Sequence, residues 1–136
     1  MKTSRILSIS LWIAQIFLSV SLFWASAMKL FQPIDQLAEM WPWTAKNREL
    51  VIFTGIIDVL AAIGLLLPNI ISPRTKLTTY TAYGIIILMI SASLFHIFRG
   101  ETSQIGINIL FLFIALYITW GKKKQLKHMN SIERTD

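Results

Sequence analysis

The sequence predicts an all-α protein, an antiparallel four-helix transmembrane bundle with a short interfacial helix between its first and second spanning helices. Two observations lead to this fold class. Hydrophobic residues make up 54% of the 136 residues and charged residues only 15%, which is more apolar surface than a soluble domain of this size can bury. Four apolar runs also approach or exceed the length that a bilayer requires, at residues 6–28, 50–67, 77–98 and 105–120. We therefore expect one membrane domain over residues 1–120, followed by a basic cytoplasmic tail over residues 121–136.

The first apolar run has some features of a cleaved signal peptide, because basic residues precede it and Ala25-Ser26-Ala27 resembles a cleavage site. Its apolar stretch is, however, longer than the core of a signal peptide. Its polar residues also share one helical face, at steps of three and four that pass through Leu22: Gln15, Ser19, Ser26 and Lys29. A leader that is removed needs no such polar face, so we predict that the run is retained as the first helix.

The connection after the first run, residues 30–49, contains apolar residues at helical spacing: Ile34, Leu37, Ala38 and Trp41. Pro33 is well placed to begin a helix. The Trp41-Pro42-Trp43 segment is typical of the headgroup level of a membrane. We predict a short helix on the outer surface of the bundle; the alternative is an irregular loop with interfacial tryptophans.

The second apolar run contains a single carboxylate, Asp58, near its middle. An ionisable group at that depth is costly if it faces lipid. Gly55 and Ala62 lie on the same helical face as Asp58, so another helix can approach this face closely. We therefore predict that Asp58 faces the protein interior. The alternative is a purely structural role, in which Asp58 is protonated or hydrogen-bonded within a polar seam.

The remaining polar residues of the spans form two layers. Gln15 and Asn108 lie near the depth of Asp58 and could reach it, as could Ser19. Nearer the outer face, the sequence places a second group of candidates for ligand binding or buried polar contacts: Lys29, His96 and Arg99. Gly100 follows Arg99 and permits the chain to reverse. Whether Asp58 pairs with Lys29 or with His96 depends on helix offsets that the sequence leaves open.

The basic residues predict the orientation of the chain. Of the 13 Lys and Arg residues, nine fall on the side of both termini and four on the other side. The positive-inside rule then places both termini in the cytoplasm of a multi-pass protein of the bacterial inner membrane. We expect the three lysines at 122–124 to lie at anionic lipid headgroups, with the lipid bilayer and not nucleic acid as their partner.

The residue inventory excludes several kinds of chemistry. The chain has no cysteine, so it offers no dithiol, disulfide or thiolate metal site. His96 and His128 fall on opposite sides of the membrane in this topology and cannot ligate one haem within a monomer. Neither a phosphate loop nor a dinucleotide fingerprint is present. We therefore assign no catalytic residue, no metal site and no intrinsic cofactor, and expect no catalysis by the chain on its own.

Four segments combine into a recognisable order: Ser26-Ala27-Met28-Lys29-Leu30, Pro33-Ile34-Asp35-Gln36-Leu37, Gly55-Ile56-Ile57-Asp58 with Gly64-Leu65-Leu66-Leu67-Pro68, and His96-Ile97-Phe98-Arg99-Gly100-Glu101. In these segments the chain resembles the DoxX-like (DoxX/DoxD-like) family of small integral membrane proteins, from about Ile9 to Trp120. It departs from the family at Asp58, where members commonly carry the longer glutamate.

The resemblance implies a four-helix membrane bundle and an association with quinone-linked redox metabolism. On that basis we expect an accessory subunit that binds a lipidic small molecule, with quinone as a candidate, beside Asp58 and below His96. A soluble oxidoreductase is then a candidate partner. Two alternatives stand beside this hypothesis: a small-molecule or proton-coupled transporter that uses Asp58, and a non-catalytic membrane assembly partner.

Overall fold

The computed structural model describes residues 2–136, with side chains from Ser4 onward, and over this range it contains helices and no strands. The α-helices are α1 (Lys2–Phe31), α2 (Ile34–Met40), α3 (Arg48–Ile71), α4 (Leu77–Arg99) and α5 (Ile105–Glu133). Short 3-10 helices follow α2 and α4, at Pro42–Lys46 and Thr102–Gln104. The predicted all-α fold class is confirmed, including a short helix between the first and second long ones.

The four long helices form a closed ring. Helix α1 packs against α3 and α5, and α4 packs against the same two helices from the opposite side. Their inward faces share one apolar core, made of Leu18, Leu22, Ala62, Leu65, Ala82, Ile85, Met89, Ala115 and Ile118. We name the two ends of the bundle after buried lysines: α1 and α4 terminate at the Lys29 end, and α3 terminates at the Lys122 end.

The outer faces of the ring are as apolar as its core. Large side chains that are well exposed include Ile13, Phe53, Ile87 and Phe113, one from each long helix. All four helices are long and apolar enough to cross a membrane. Lipid contact removes this surface from water, so the chain is a multi-pass membrane protein.

Two helices extend beyond the apolar runs in the sequence. Helix α3 continues through Pro68 to Ile71, although Pro68 has no N–H to donate to the preceding turn. Helix α5 continues beyond Trp120 to Glu133, because its next turn is still packed against the bundle. Lys122 is fully buried there and donates hydrogen bonds to Asn69 of α3 at 2.6 Å and to Gln125 at 3.2 Å. The expectation that Lys122 lies at lipid headgroups is therefore wrong, because its ammonium group is held inside the bundle.

Glycine allows two helices to meet closely at the Lys122 end. A Cβ atom on Gly121 of α5 would overlap the side chain of Leu11 on α1. Leu11 is itself almost fully buried, so it has little room to move. Gly84 of α4 is different, because a Cβ atom there would meet nothing within 4 Å.

We therefore expect Gly121→Leu to destabilise the bundle by about 1–3 kcal/mol through overpacking. Gly84→Leu makes the same change at an open helical position and should be neutral or slightly stabilising, since glycine disfavours helix interiors. Chemical unfolding in detergent, monitored through the helix content, measures the difference in unfolding free energy between the two variants. Equal losses in both variants would contradict the close packing of α1 and α5.

Candidate functional site

The most buried ion pair in the described chain joins α1 to α3. Lys29 Nζ lies 2.7 Å from Asp58 Oδ2, and the two side chains are 15% and 4% exposed. Lys29 belongs to the last turn of α1, whereas Asp58 lies near the middle of α3. The lysine side chain therefore extends into the bundle, against the usual tendency of lysines near helix ends to reach the membrane surface.

Close contact between α1 and α3 brings the two charges together. A Cβ atom on Gly55, one turn before Asp58, would lie 3.1 Å from the Cβ atom of Lys29. The Ser26 hydroxyl donates to the Gly55 carbonyl at 2.8 Å, and the Ser19 hydroxyl donates to the Ala62 carbonyl at 2.7 Å. The polar face predicted for the first helix therefore binds the backbone of α3 and fixes its register against α1.

Three tryptophans cover the ion pair at the Lys29 end. The ring centroids of Trp41 and Trp43 lie 6.0 and 5.9 Å from Lys29 Nζ, within the range of cation–π attraction. Trp24 of α1 contacts Trp41 edge to face. Trp43 is buried with Leu37 of α2 in a second apolar cluster. The connection after α1 is thereby anchored to the bundle, with its aromatic rings over the ion pair.

His96 pairs with a different carboxylate. Its Nδ1 lies 2.9 Å from Glu101 Oε2, and Arg99 Nε donates to the other carboxylate oxygen of Glu101 at 3.1 Å. Gly100, in the left-handed conformation (φ 72°), ends α4 and returns the chain so that Glu101 faces His96. The hydrogen bond from His96, together with Arg99, lowers the pKa of Glu101. The question left open by the sequence is thus decided: Asp58 pairs with Lys29.

A cavity of about 890 Å³ lies beside the ion pair. Its walls are mainly apolar and aromatic and come from the Lys29 half of the bundle: residues 17–29, 50–58, 88–96 and 104–111, together with Trp41 and Trp43. Four predicted candidates lie in the wall: Lys29, Asp58, His96 and Asn108. The structure therefore gathers side chains from α1, α3, α4 and α5 around one space.

Asn108 supplies an unused hydrogen-bond donor in this wall. Its Nδ2 atom is buried and has no partner among the described residues. A buried amide without a partner costs free energy that a suitable acceptor would recover. Because Asn108 lines the cavity, a carbonyl or similar oxygen bound there is a candidate acceptor for its Nδ2.

The other two predicted candidates do not line the cavity. Gln15 is buried deeper in the bundle, where its amide donates to the Leu11 carbonyl at 3.0 Å. Arg99 is exposed at the end of α4; it touches the cavity wall from outside, where its guanidinium lies 5.5 Å from the ring centroid of Phe95, and it pairs with Glu101.

The polar contacts and the close glycine contact between α1 and α5 lie at one end of the bundle. The polar side-chain contacts, Ser8 with Gln125 and Ser10 with Tyr117, lie in the Lys122 half of the bundle. In the other half both helices contribute to the cavity wall, and Phe17, Val20 and Ile107 are well exposed. The cavity therefore has a lipid-facing rim between α1 and α5.

Sequence analysis did not assign some of these groups to the site. It treated Trp41 and Trp43 as membrane-interface residues, whereas both line the cavity. It also missed Glu101 as the partner of His96, although a glycine after a helix end predicts a reversal that returns the next residues toward the last turn. Within residues 2–136, no cluster of histidine and acidic side chains is suited to hold a metal ion.

A comparison with protein-family models matches residues 13–118 to the model described as the DoxX-like family. This region includes every polar residue in the cavity wall. Comparisons with curated proteins and with solved structures give no match.

We expect Lys29→Met to destabilise the protein by about 1–3 kcal/mol, because it leaves the Asp58 carboxylate without its cation. Asp58→Asn should cost less, since the amide oxygen still accepts a hydrogen bond from Lys29. The double variant Lys29→Met/Asp58→Leu should lose less stability than the sum of the losses in Lys29→Met and Asp58→Leu, because neither charge is then left unpaired. Chemical unfolding in detergent measures the free energy of unfolding of all four variants, relative to the unmodified protein.

Lys46→Met provides the matched control. Lys46 is an exposed lysine in the connection between α2 and α3, and its replacement should change stability by less than about 0.5 kcal/mol. Strictly additive losses for Lys29 and Asp58 would show that their pairing does not stabilise the bundle.

Proposed function

Because the chain belongs to the DoxX-like family, we propose that it is an accessory subunit of quinone-linked redox metabolism that binds a lipidic small molecule inside the bundle. One observation carries this proposal: a largely apolar cavity of about 890 Å³ has an unpartnered amide donor, Asn108 Nδ2, in its wall. A site for a lipidic ligand requires this combination of apolar walls and a few oriented polar groups.

A quinone headgroup suits the chemistry of the wall. Its carbonyl oxygens accept hydrogen bonds, and Asn108 offers a free donor for one of them. Lys29 is already balanced by Asp58 at 2.7 Å, so the pair adds polarity to the wall with no net charge. This arrangement favours a neutral polar headgroup over a free ion. The exposed apolar rim at Phe17, Val20 and Ile107 gives such a molecule a route from the bilayer.

Transport is supported less well than binding. The cavity wall comes from the Lys29 half, whereas closely packed side chains such as Leu65, Ala82 and Ile118 fill the core between it and the Lys122 end. A substrate crossing the bundle would have to displace this core. The binding hypothesis needs no such movement, and it leaves the redox step to an oxidoreductase partner outside the membrane.

Quinones quench tryptophan fluorescence on contact, and Trp24, Trp41 and Trp43 line the cavity. The variant Trp12→Phe/Trp120→Phe keeps only these three tryptophans. We expect decylubiquinone to quench its fluorescence saturably. The complementary protein, in which the three cavity tryptophans are phenylalanine, reports only partition into the detergent. Asn108→Leu should weaken the saturable binding about tenfold, since one hydrogen bond in a buried site is lost.

Gln15→Leu is the matched control for Asn108→Leu. Gln15 is also a buried amide with an unpartnered atom, Oε1, but it lies outside the cavity wall. The Gln15→Leu variant should therefore have an unchanged affinity for the quinone. Equal, non-saturable quenching of both sets of tryptophans, or equal effects of the two amide variants, would refute quinone binding in this cavity.

The proposal includes an orientation, with both termini in the cytoplasm of a bacterial inner membrane and the Lys29 end outside. Ala45 and Ser131 are exposed at opposite ends of the bundle, and the chain has no native cysteine. We expect an impermeant thiol reagent to label Ala45→Cys, but not Ser131→Cys, in intact cells. Both should be labelled after the membrane is permeabilised, and the reverse pattern in intact cells would invert the topology.

A further inference from the structure

A second concave surface, which the proposed function does not use, lies at the Lys122 end of the bundle. It is a groove of about 650 Å³ between the first turn of α4 and the last turns of α5. Four cations line it: Lys76, Lys123, Lys127 and Arg134. No carboxylate is among its lining residues. We call this surface the basic groove.

The positive charge of the basic groove is not neutralised from within the described chain. Glu133, next to Arg134 in the chain, does not line the groove and pairs with Arg74 at 3.4 Å. Helix α4 begins at Leu77, so the positive end of its dipole adds to the charge of the groove. Thr79 also lines the groove, is 5% exposed, and has a hydroxyl with no partner among the described residues.

The groove begins on α5 just beyond a pair of aromatic residues. Tyr117 and Trp120 stack on α5 within two turns before Lys123, with ring centroids 5.9 Å apart. Such aromatic residues are typical of the level where lipid tails meet headgroups. Leu126 and the exposed Tyr80 give the groove an apolar wall next to its cations.

From these contacts we propose that the basic groove binds the phosphate headgroup of an anionic phospholipid. Lysine side chains supply point charges and hydrogen bonds to phosphate oxygens. The apolar wall at Tyr80 and Leu126 suits the glycerol and the first carbons of the acyl chains, which a free phosphate lacks. A groove of about 650 Å³ holds one headgroup, and its depth gives lipid access to it directly from the bilayer.

The test is native mass spectrometry of the full chain in detergent, titrated with phosphatidylglycerol. The variant Lys76→Gln/Lys127→Gln removes two cations from the groove. The control variant Arg5→Gln/Lys124→Gln removes two exposed cations at the same end; Lys124 lies over the Trp120 ring, outside the groove. We expect the groove variant to bind at least about tenfold more weakly, and the control to change less than about twofold.

Equal weakening in both variants would assign the affinity to diffuse charge and overturn the proposal, as would unchanged binding in the groove variant. Equal affinity for phosphatidylcholine would also overturn it. Displacement of the lipid by millimolar glycerol phosphate would identify a soluble phosphate compound as the occupant instead.

The charge-conserving variant Lys76→Arg/Lys127→Arg should bind like the unmodified protein, and weak binding there would contradict a role for these charges. All four exchanged side chains are exposed, and helix content measured without lipid confirms that each variant is folded.

Discussion

The pairing of Lys29 with Asp58 is the constraint on which the rest of the structure depends. A single carboxylate inside an apolar bundle is costly unless a cation reaches it, and Lys29 can reach Asp58 only if α1 lies closely against α3. Gly55 permits that approach, and the Ser26 hydroxyl fixes it through the Gly55 carbonyl. The ion pair, the small residue and the hydroxyl therefore specify one register between the two helices.

The cavity is a consequence of this arrangement. At the Lys29 end α1 is held to α3, while its polar contacts with α5 lie at the other end, where Gly121 accommodates Leu11. Space therefore opens between α1 and α5, and the tryptophans of the connection close it from above the ion pair. A bundle packed evenly along its length would have no such cavity.

The two ends of the bundle differ in whether their charged side chains have partners of opposite charge. At the Lys29 end each buried or partly buried charge has a partner, as in the His96–Glu101 pair, so the cavity wall is polar but balanced. At the Lys122 end, the groove cations Lys123 and Lys127 face no acid within the groove. This contrast underlies the two proposed occupants, a neutral lipidic molecule in the cavity and an anionic headgroup in the basic groove.

The sequence alone determined the fold class, the four apolar helices, the polar face of α1 and the inward position of Asp58, because helical periodicity and the cost of charge in lipid are local properties. Only the tertiary structure decided that Lys29 and not His96 meets Asp58, that Asn108 faces the cavity while Gln15 does not, and that a cavity exists. Periodicity gives the face of a helix, but it does not give the axial offset, the tilt or the side-chain reach between two helices. Those depend on packing at Gly55 and Gly121, where contacts between distant segments fix the distances.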